Sequence, residues 1–429
     1  MKQRTKTWAA CALLFLCVLA SLPSLVGATD TAQIPVGSTP CSVAITPNGQ
    51  YAYVANSAGN SVSVINITSN KVTATVTGLS SPVCVAIAPN GQYAYVVNQG
   101  SNMVSVISTA TNTVTATVPV GSTSNDVAIT PNGEYAYVAS IGNSSVSVIN
   151  TATNQVTTTI PLDGSPEGIA ITPNGKYAYV SENDFNYETM DSKGAVSVID
   201  TATNTVKTKI SVDGYPHSLA IAPNGAYVYV ISLSKNENPE AQDGFVSMIN
   251  TASNSVTATV NVGTSPRGIA IMPNSTYALV TNLGTDEIFK PSNLINSSIS
   301  VISTVANKVT STIQTPLGST PYAMAITSDG EYAYITNGGL GTVSVINIVP
   351  YTSTIYTPDL IPPVQLLIIA VLVAIIAVLA VVIVVKKKKK AKSNPTSSKP
   401  TPSLSDKEKQ APQPTRLANR AKEQPSLFI

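Results

Sequence analysis

The chain has few of the side chains on which most enzymes depend. Its 429 residues include one histidine, one tryptophan and four cysteines, and only 11% are charged. No His-Glu-x-x-His, Gly-x-Ser-x-Gly or Cys-x-x-Cys motif occurs, which removes the usual signatures of zinc peptidases, serine hydrolases and thioredoxin-like redox proteins. From this inventory we expect no enzymatic activity, no cofactor and no nucleic-acid partner.

What the chain does contain is one short segment, Tyr-Ala-Tyr-Val or a close variant, written seven times. The copies begin at Tyr51, Tyr93, Tyr135, Tyr177, Tyr227, Tyr277 and Tyr332. A spacing of roughly forty to fifty-five residues is typical of propeller blades or solenoid coils. Each unit contains four runs rich in Val, Ile, Thr and Tyr, and turn signals such as Pro-Asn-Gly at 47–49 separate the runs. Each unit therefore predicts four short strands.

Seven four-stranded units predict an all-β, seven-bladed β-propeller over residues 29–349. A stack of open coils is the alternative. Residues 32–36 form an unattached fourth strand, and the repeats end after a third strand at 343–346. Pairing these two segments would complete blade seven from both ends of the domain and remove an exposed edge, which favours the closed propeller.

The repeat resembles the YVTN-repeat β-propeller family of archaeal surface-layer and other cell-surface proteins. The resemblance covers residues 32–348 and is carried by Tyr-Val-Ala-Asn at 53–56, Leu-Val-Thr-Asn at 279–282 and Tyr-Ile-Thr-Asn at 334–337. Copies four and five depart from it, with Tyr-Val-Ser-Glu and Tyr-Val-Ile-Ser. The resemblance implies a propeller fold on a cell surface but no single activity, because propellers include both binding proteins and enzymes.

The flanking segments predict a single-pass membrane protein. Residues 1–28 have the basic, apolar and small-residue regions of a signal peptide. Residues 364–385 are long and apolar enough for a transmembrane helix, and lysines follow at once, which predicts type I orientation. We expect an extracellular propeller, a proline-containing linker over 350–363 and a basic, disordered cytoplasmic tail over 386–429. Four sequons make glycosylation candidates of Asn66, Asn143, Asn274 and Asn296.

One position of the repeat is not fixed in type. It follows the Ser-Pro or variant that introduces each first strand, and its occupants are Cys41, Val83, Asn125, Glu167, His217, Arg267 and Tyr322. In a propeller the first strand lines the central channel, so these side chains should form a ring at one entrance. We treat the ring as a candidate ligand site. The alternative is that residues at the ends of loops vary without a function.

Long insertions follow the second strands of blades four, five and six and should lie on the same face as the ring. They are acidic, and long loops on a rigid scaffold are common binding elements. Asp184, Asn186 and Glu188 place oxygen atoms at alternate positions, a weak calcium candidate, because the bidentate Glu that should close such a loop is absent. A solvated acidic loop is the alternative.

Cysteine offers little support for a disulfide framework. Cys11 and Cys17 lie in the predicted signal peptide, which leaves Cys41 and Cys84 on the first strands of adjacent blades. These two residues are one position out of register, and a bridge needs Cα atoms about 4.4–6.8 Å apart. A disulfide and a pair of buried, inert thiols both remain open.

Two functions follow from these patterns. The main interpretation is a membrane-anchored cell-surface propeller that binds an extracellular protein or glycan through its acidic rim, for adhesion or for assembly of the cell envelope. The alternative is a lyase or lactonase-like enzyme at the channel mouth, in which Glu167, His217 and Arg267 act as base, acid and anion clamp.

Overall fold

The computed structural model describes residues 30–186, 191–234, 243–284 and 297–352. Within them the strands form seven four-stranded antiparallel sheets. Strand β1 spans Asp30–Pro35 and belongs to blade seven. Blades one to three consist of β2 (Pro40–Ile45), β3 (Tyr51–Asn56), β4 (Ser61–Asn66), β5 (Lys71–Val76), β6 (Pro82–Ile87), β7 (Tyr93–Asn98), β8 (Met103–Ser108), β9 (Thr113–Pro119), β10 (Ser124–Ile129), β11 (Tyr135–Ser140), β12 (Ser145–Asn150) and β13 (Gln155–Pro161).

The second half of the propeller repeats this plan. Blades four to seven consist of β14 (Ser165–Ile171), β15 (Tyr177–Asn186), β16 (Asp191–Asp200), β17 (Thr205–Val212), β18 (Tyr215–Ile221), β19 (Tyr227–Leu233), β20 (Asp243–Asn250), β21 (Ser255–Thr264), β22 (Pro266–Ile271), β23 (Tyr277–Asn282), β24 (Ser298–Ser303), β25 (Lys308–Gln314), β26 (Pro321–Ile326), β27 (Tyr332–Asn337) and β28 (Thr342–Asn347). A 3-10 turn at Ile141–Asn143 and a short helix α1 (Val349–Thr352) complete the elements in the described ranges.

The predicted closure of the ring is confirmed. Strand β1 pairs antiparallel with β28, with Ile34 opposite Val343 and Pro35 opposite Thr342. The sheet order β1-β28-β27-β26 makes blade seven from both ends of the domain, as the unattached strands predicted. The seven-bladed propeller is therefore established, and the open-coil alternative is excluded.

The second tyrosine of each repeat joins neighbouring blades. Tyr53 of blade one is buried, and its hydroxyl donates to Asn112 Oδ1 in the last turn of blade two at 2.6 Å. The Tyr334 hydroxyl donates to Asn70 Oδ1 across the closure between blades seven and one at 2.7 Å. Asn70 and Asn112 have positive φ, a conformation that asparagine tolerates better than most residues. The same bond joins Tyr137 to Asn204 and Tyr179 to Asn254.

The asparagine that ends the second strand of a typical blade forms hydrogen bonds to the third strand. Asn56 Nδ2 donates to Ser61 Oγ at 3.2 Å and to Ser63 Oγ at 3.0 Å, and Asn337 bonds two hydroxyls of β28 in the same way. Glu182 takes this position in blade four. It is buried, and its Oε2 lies 3.1 Å from Lys209 Nζ. The departure of copy four is thus explained by a local ion pair.

Several sequence-based predictions fall on parts of the chain outside the described residues. These include the signal peptide, the apolar segment 364–385, the cytoplasmic tail and Asn296. Among the helices that the structure describes, none has the length and apolar character needed to cross a membrane. Asn66, Asn143 and Asn274 lie at the ends of strands or in turns, where they are partly or fully exposed. Their glycosylation stays a prediction.

Candidate active site at the channel entrance

The variable position of the repeat coincides with a β-bulge in every innermost strand. In blade one, Pro40 pairs with Asn56 and Ser42 with Ala55, so Cys41 has no partner across the ladder. In blade four the register skips from Pro166 to Ile169. A bulge turns a side chain away from the regular pleat. The bulged residues thereby lie along the channel entrance, where Cys41 and Val83 also pack against the core between blades.

All seven variable residues line one cavity of about 450 Å³, which we call the entrance cavity. Its lining residues from the variable position are Cys41, Val83, Asn125, Glu167, His217, Arg267 and Tyr322. The structure thus places the predicted ring around a single space. Whether the ring binds a ligand is a separate question and stays a prediction.

The ring and the connections between second and third strands lie on the same face of the propeller. The Ser57 amide, just after β3, donates to the Thr39 carbonyl just before β2 at 2.9 Å, and Thr39 and Ser57 both line the entrance cavity. The tips of the three long insertions lie outside the described residues. Of the calcium candidates, Asp184 and Asn186 lie in β15, and Glu188 lies outside. This site also stays a prediction.

His217 and Arg267 come from adjacent blades and touch. Arg267 Nη1 lies 2.7 Å from His217 Nε2. Burial and, after it, the positive charge of Arg267 lower the pKa of His217 to about 4. The imidazole is therefore neutral at pH 7, with Nε2 accepting from the guanidinium and the proton on Nδ1. His217 cannot accept a proton at Nε2 while this contact persists.

Glu167 is held by the blade before it and by its own blade. Asn125 Nδ2 donates to the Glu167 carbonyl at 2.9 Å and lies 3.4 Å from its Oε2. Burial raises the pKa of the Glu167 carboxyl, while the charge of Arg267 and a hydrogen bond from Asn183 oppose that rise. A carboxylate with a raised pKa is a stronger base than a surface glutamate, which suits a general base.

Asp126 also lines the entrance cavity, although it was not predicted from the sequence. Its Oδ1 accepts from the Val127 amide at 2.8 Å and from Cys84 Sγ at 3.0 Å, and its Oδ2 accepts from the Ile169 amide at 2.9 Å. Burial raises the pKa of this carboxyl. Both oxygens are engaged, so Asp126 links the inner strands of blades two, three and four. It holds Ile169, two residues after Glu167.

A signal for Asp126 exists in the sequence. The position after the variable residue holds a small side chain in the other six copies, and the occupants are Ser42, Cys84, Gly168, Ser218, Gly268 and Ala323. An aspartate in such a series marks a polar function at one blade. The two glycines have a steric reason. A Cβ on Gly168 would lie 2.8 Å from the His217 carbonyl oxygen, and one on Gly268 would collide with the Tyr322 carbonyl.

Cys41 and Cys84 are thiols and not a disulfide. The Cys41 thiol lies 3.4 Å from the carbonyl oxygens of Pro82 and Val83, and burial raises its pKa to about 12. Burial, together with the adjacent Asp126, also raises the pKa of Cys84 well above its usual range. Neither thiol is a nucleophile at neutral pH, because the thiolate is the reactive form.

Comparisons with known proteins agree with this fold. The family model described as "Lactonase, 7-bladed beta-propeller" matches residues 28–238. Among solved structures, hydrazine synthase of Kuenenia stuttgartiensis aligns with a TM-score of 0.58 and 24% sequence identity, over 66% of this chain and 82% of that chain. No curated protein matches the chain significantly.

The family model corrects one prediction. It spans somewhat less than half of the chain, from just before β1 to just beyond β19, and this part contains Glu167 and His217. Because the model belongs to a propeller family named for catalysis, the prediction that the chain is not an enzyme is wrong. The described residues form a seven-bladed propeller, and residues 28–238 are similar to a family of seven-bladed lactonase propellers. The resemblance to surface-layer propellers stays a prediction beyond the fold itself.

Proposed function

We propose that the chain is a lactonase-type hydrolase that opens a small cyclic ester in the entrance cavity. The observation that carries the proposal is the contact between His217 and Arg267 in the cavity that Glu167 also lines. His217 is the only histidine of the sequence. Arg267 is the only arginine of the described ranges. The fold does not specify residue type at these positions, so their convergence on one cavity points to chemistry.

Glu167 is the general base in this scheme, and the other ionisable groups are excluded by their contacts. Both carboxylate oxygens of Asp126 accept hydrogen bonds from neighbouring strands. The Nε2 lone pair of His217 faces Arg267. Glu167 is held by amides of Asn125 and Asn183, which orient its carboxylate without protonating it. It retains the capacity to accept a proton from water.

The reaction then needs no covalent intermediate. Glu167 takes a proton from a water molecule as the water oxygen attacks the acyl carbon of the ester. The carbonyl oxygen gains the negative charge, which the guanidinium of Arg267 stabilises. The ring C–O bond breaks, and the leaving alkoxide takes the proton back from Glu167. The product is an open hydroxy acid. Neutral His217 holds the guanidinium in place without adding a second positive charge.

We also infer that the enzyme works outside the cytoplasm and is attached to the membrane by residues 364–385. The signal-like segment 1–28 and the lysines after residue 385 support this location. Strand β1 ends on the entrance face, where the Val36 amide donates to the Gly341 carbonyl. It begins at the opposite end of the sheet, where Asp30 pairs with Ile346. The described domain thus begins and ends on the face away from the entrance cavity.

The test is hydrolysis of γ-butyrolactone and δ-valerolactone by the purified full chain in detergent, followed by pH-stat titration. Glu167→Gln should lower kcat about 10²- to 10⁴-fold, the usual contribution of a general base. Glu134→Gln is the matched control, because Glu134 is exposed in the turn before β11, and it should leave kcat unchanged. Equal rates in wild type and Glu167→Gln would refute the assignment of the base. A wild type without activity on any lactone would refute the proposed function.

A further inference from the structure

The lining of the entrance cavity is divided by blade into two halves. The polar half, from blades three to six, carries Asn125, Asp126, Glu167, His217 and Arg267. The other half, from blades seven, one and two, carries Tyr322, Cys41 and Val83 at the variable position and no Asp, Glu, Lys, Arg or His. Its polar side chains are the hydroxyls of Thr39, Ser42, Ser57 and Tyr322 and the two cysteine thiols, and we call it the apolar half because it lacks charged groups. These three blades are contiguous, because β26 of blade seven packs against β2 of blade one and β2 packs against β6.

The apolar half continues onto the rim above blade seven. Tyr322 and Leu340 are 38% and 42% exposed, and Leu317 is 51% exposed. The Tyr322 ring lies over Gly338, where a Cβ would come within 3.3 Å of Tyr322 Cδ2. The Gly339 amide donates to the Ser319 carbonyl at 3.2 Å, so the loop that carries Leu340 lies against the loop that carries Leu317. The loops that carry these three residues are therefore neighbours on the entrance face of blade seven.

Exposed apolar side chains are common on protein surfaces and by themselves indicate nothing. Here Tyr322 lines the cavity opposite Glu167 and Arg267, and Leu340 and Leu317 lie in the two loops next to it on the same face. Cys41 acts as a small apolar residue in this wall, because its thiol is protonated and directed at carbonyl oxygens. A substrate with the ester group in the polar half would direct its substituent toward the apolar half.

We propose that the substrate is a lactone that carries an aliphatic or otherwise apolar substituent, and that Tyr322, Leu340 and Leu317 contact this substituent. The proposal rests on the proposed lactonase function and adds the substrate class. A cavity of about 450 Å³ has the size of small-molecule sites, which combine apolar walls with a few polar groups. It has room for a lactone ring and a short chain.

The experiment compares kcat/KM of the full chain for γ-lactones with no substituent and with ethyl, butyl and hexyl chains. Burial of each added methylene should raise kcat/KM about two- to fourfold until the chain fills the cavity. Leu340→Ser should lower the ratio of kcat/KM for the hexyl lactone to that for the unsubstituted lactone at least fivefold. Val305→Ser is the matched control, because Val305 is 85% exposed in the turn between β24 and β25, and it should not change this ratio.

Calorimetric binding of the corresponding alkyl lactams separates this proposal from the proposed function. Lactam affinity that rises with chain length and falls in Leu340→Ser supports the apolar contact, even if no lactone is hydrolysed. Hydrolysis with kcat/KM and lactam affinity both independent of chain length would overturn the substrate class and leave the lactonase function intact. An equal loss of chain-length dependence in Leu340→Ser and Val305→Ser would also overturn it.

Discussion

Removal of the Arg267 charge should raise the pKa of His217, and the chain is well suited to show this. Burial is the larger cause of the low pKa of His217, and the charge of Arg267 is the second. A unit charge about 4 Å away is worth about 4 kcal/mol at an effective dielectric of about 20, and one pKa unit corresponds to about 1.4 kcal/mol. That energy would be about three units, more than the whole shift from 6.5 to about 4, so the charge is partly screened. Because burial causes the larger part of the shift, Arg267→Met should raise the His217 pKa by about one unit. The pKa should remain below 6.5, because the burial persists.

The assay is a ¹H–¹³C NMR titration of the imidazole in the untagged chain. A single histidine in the sequence gives an unambiguous signal. The wild type should titrate near the value of about 4. Arg267→Lys is the matched control, because it keeps the positive charge and should keep the pKa low. A wild-type His217 that titrates near 6.5, or an Arg267→Met variant with an unchanged pKa, would refute the reasoning.

The same shift predicts a dependence of stability on pH. The folded pKa of about 4 lies below the unfolded value of 6.5, so the unfolded state binds more protons between these two values. The free energy of unfolding from this group should be highest above pH 6.5 and fall as the pH drops toward 4. The total change is on the order of 3 kcal/mol. It should be smaller in Arg267→Met, as urea unfolding at several pH values would show.

Three further predictions concern the fold and the walls of the cavity. Asp126→Ala leaves the Val127 and Ile169 amides without their acceptor. It should lower the free energy of unfolding, measured in urea, by about 2–4 kcal/mol. An unchanged midpoint of urea unfolding would contradict the link between blades. Tyr53→Phe removes the hydrogen bond to Asn112 and should lower the free energy of unfolding by about 1 kcal/mol. Tyr93→Phe, on a 38% exposed side chain, should lower it by less than half of that. Equal effects would count against the contact between blades. Cys41 should resist iodoacetamide at pH 8 in the folded chain, because burial raises its pKa to about 12, and it should react in urea; rapid labelling of the folded chain, read by peptide mass spectrometry, would contradict this.

The blades could be predicted from the sequence because local and global signals agree. Tyrosine and valine at alternating positions, turns with asparagine and glycine, and seven copies in the same phase specify sheets of four strands. The structure adds a reason for the repeat itself, since Tyr53 and Asn112 form a contact between blades and Asn56 forms one between strands. The closure could be predicted because residues 32–36 are a fourth strand without a repeat of their own, and the last repeat ends at its third strand, 343–346, without a fourth.

The positions of the ring could also be predicted, but its chemistry could not. A position that the repeat leaves free is visible in the sequence, whereas the 2.7 Å contact between His217 and Arg267 joins residues fifty positions apart. Asp126 was not predicted because it follows the variable position, and the other six copies hold small residues there, as a position inside a regular strand can. The prediction of a non-enzyme failed for a related reason. Catalytic motifs are contiguous in many enzymes, but a propeller collects single residues from several blades around its axis.

The central claim is that the polar half of the entrance cavity is an active site for cyclic esters. A crystal structure of the chain with γ-butyrolactam tests it most directly, because a lactam resists hydrolysis and keeps the shape of the ester. We expect the lactam in the entrance cavity, with its carbonyl oxygen toward Arg267 and its carbonyl carbon near the Glu167 carboxylate. A lactam bound only outside this cavity, for example in the groove between Tyr137 and Pro173 on the opposite face, would contradict it.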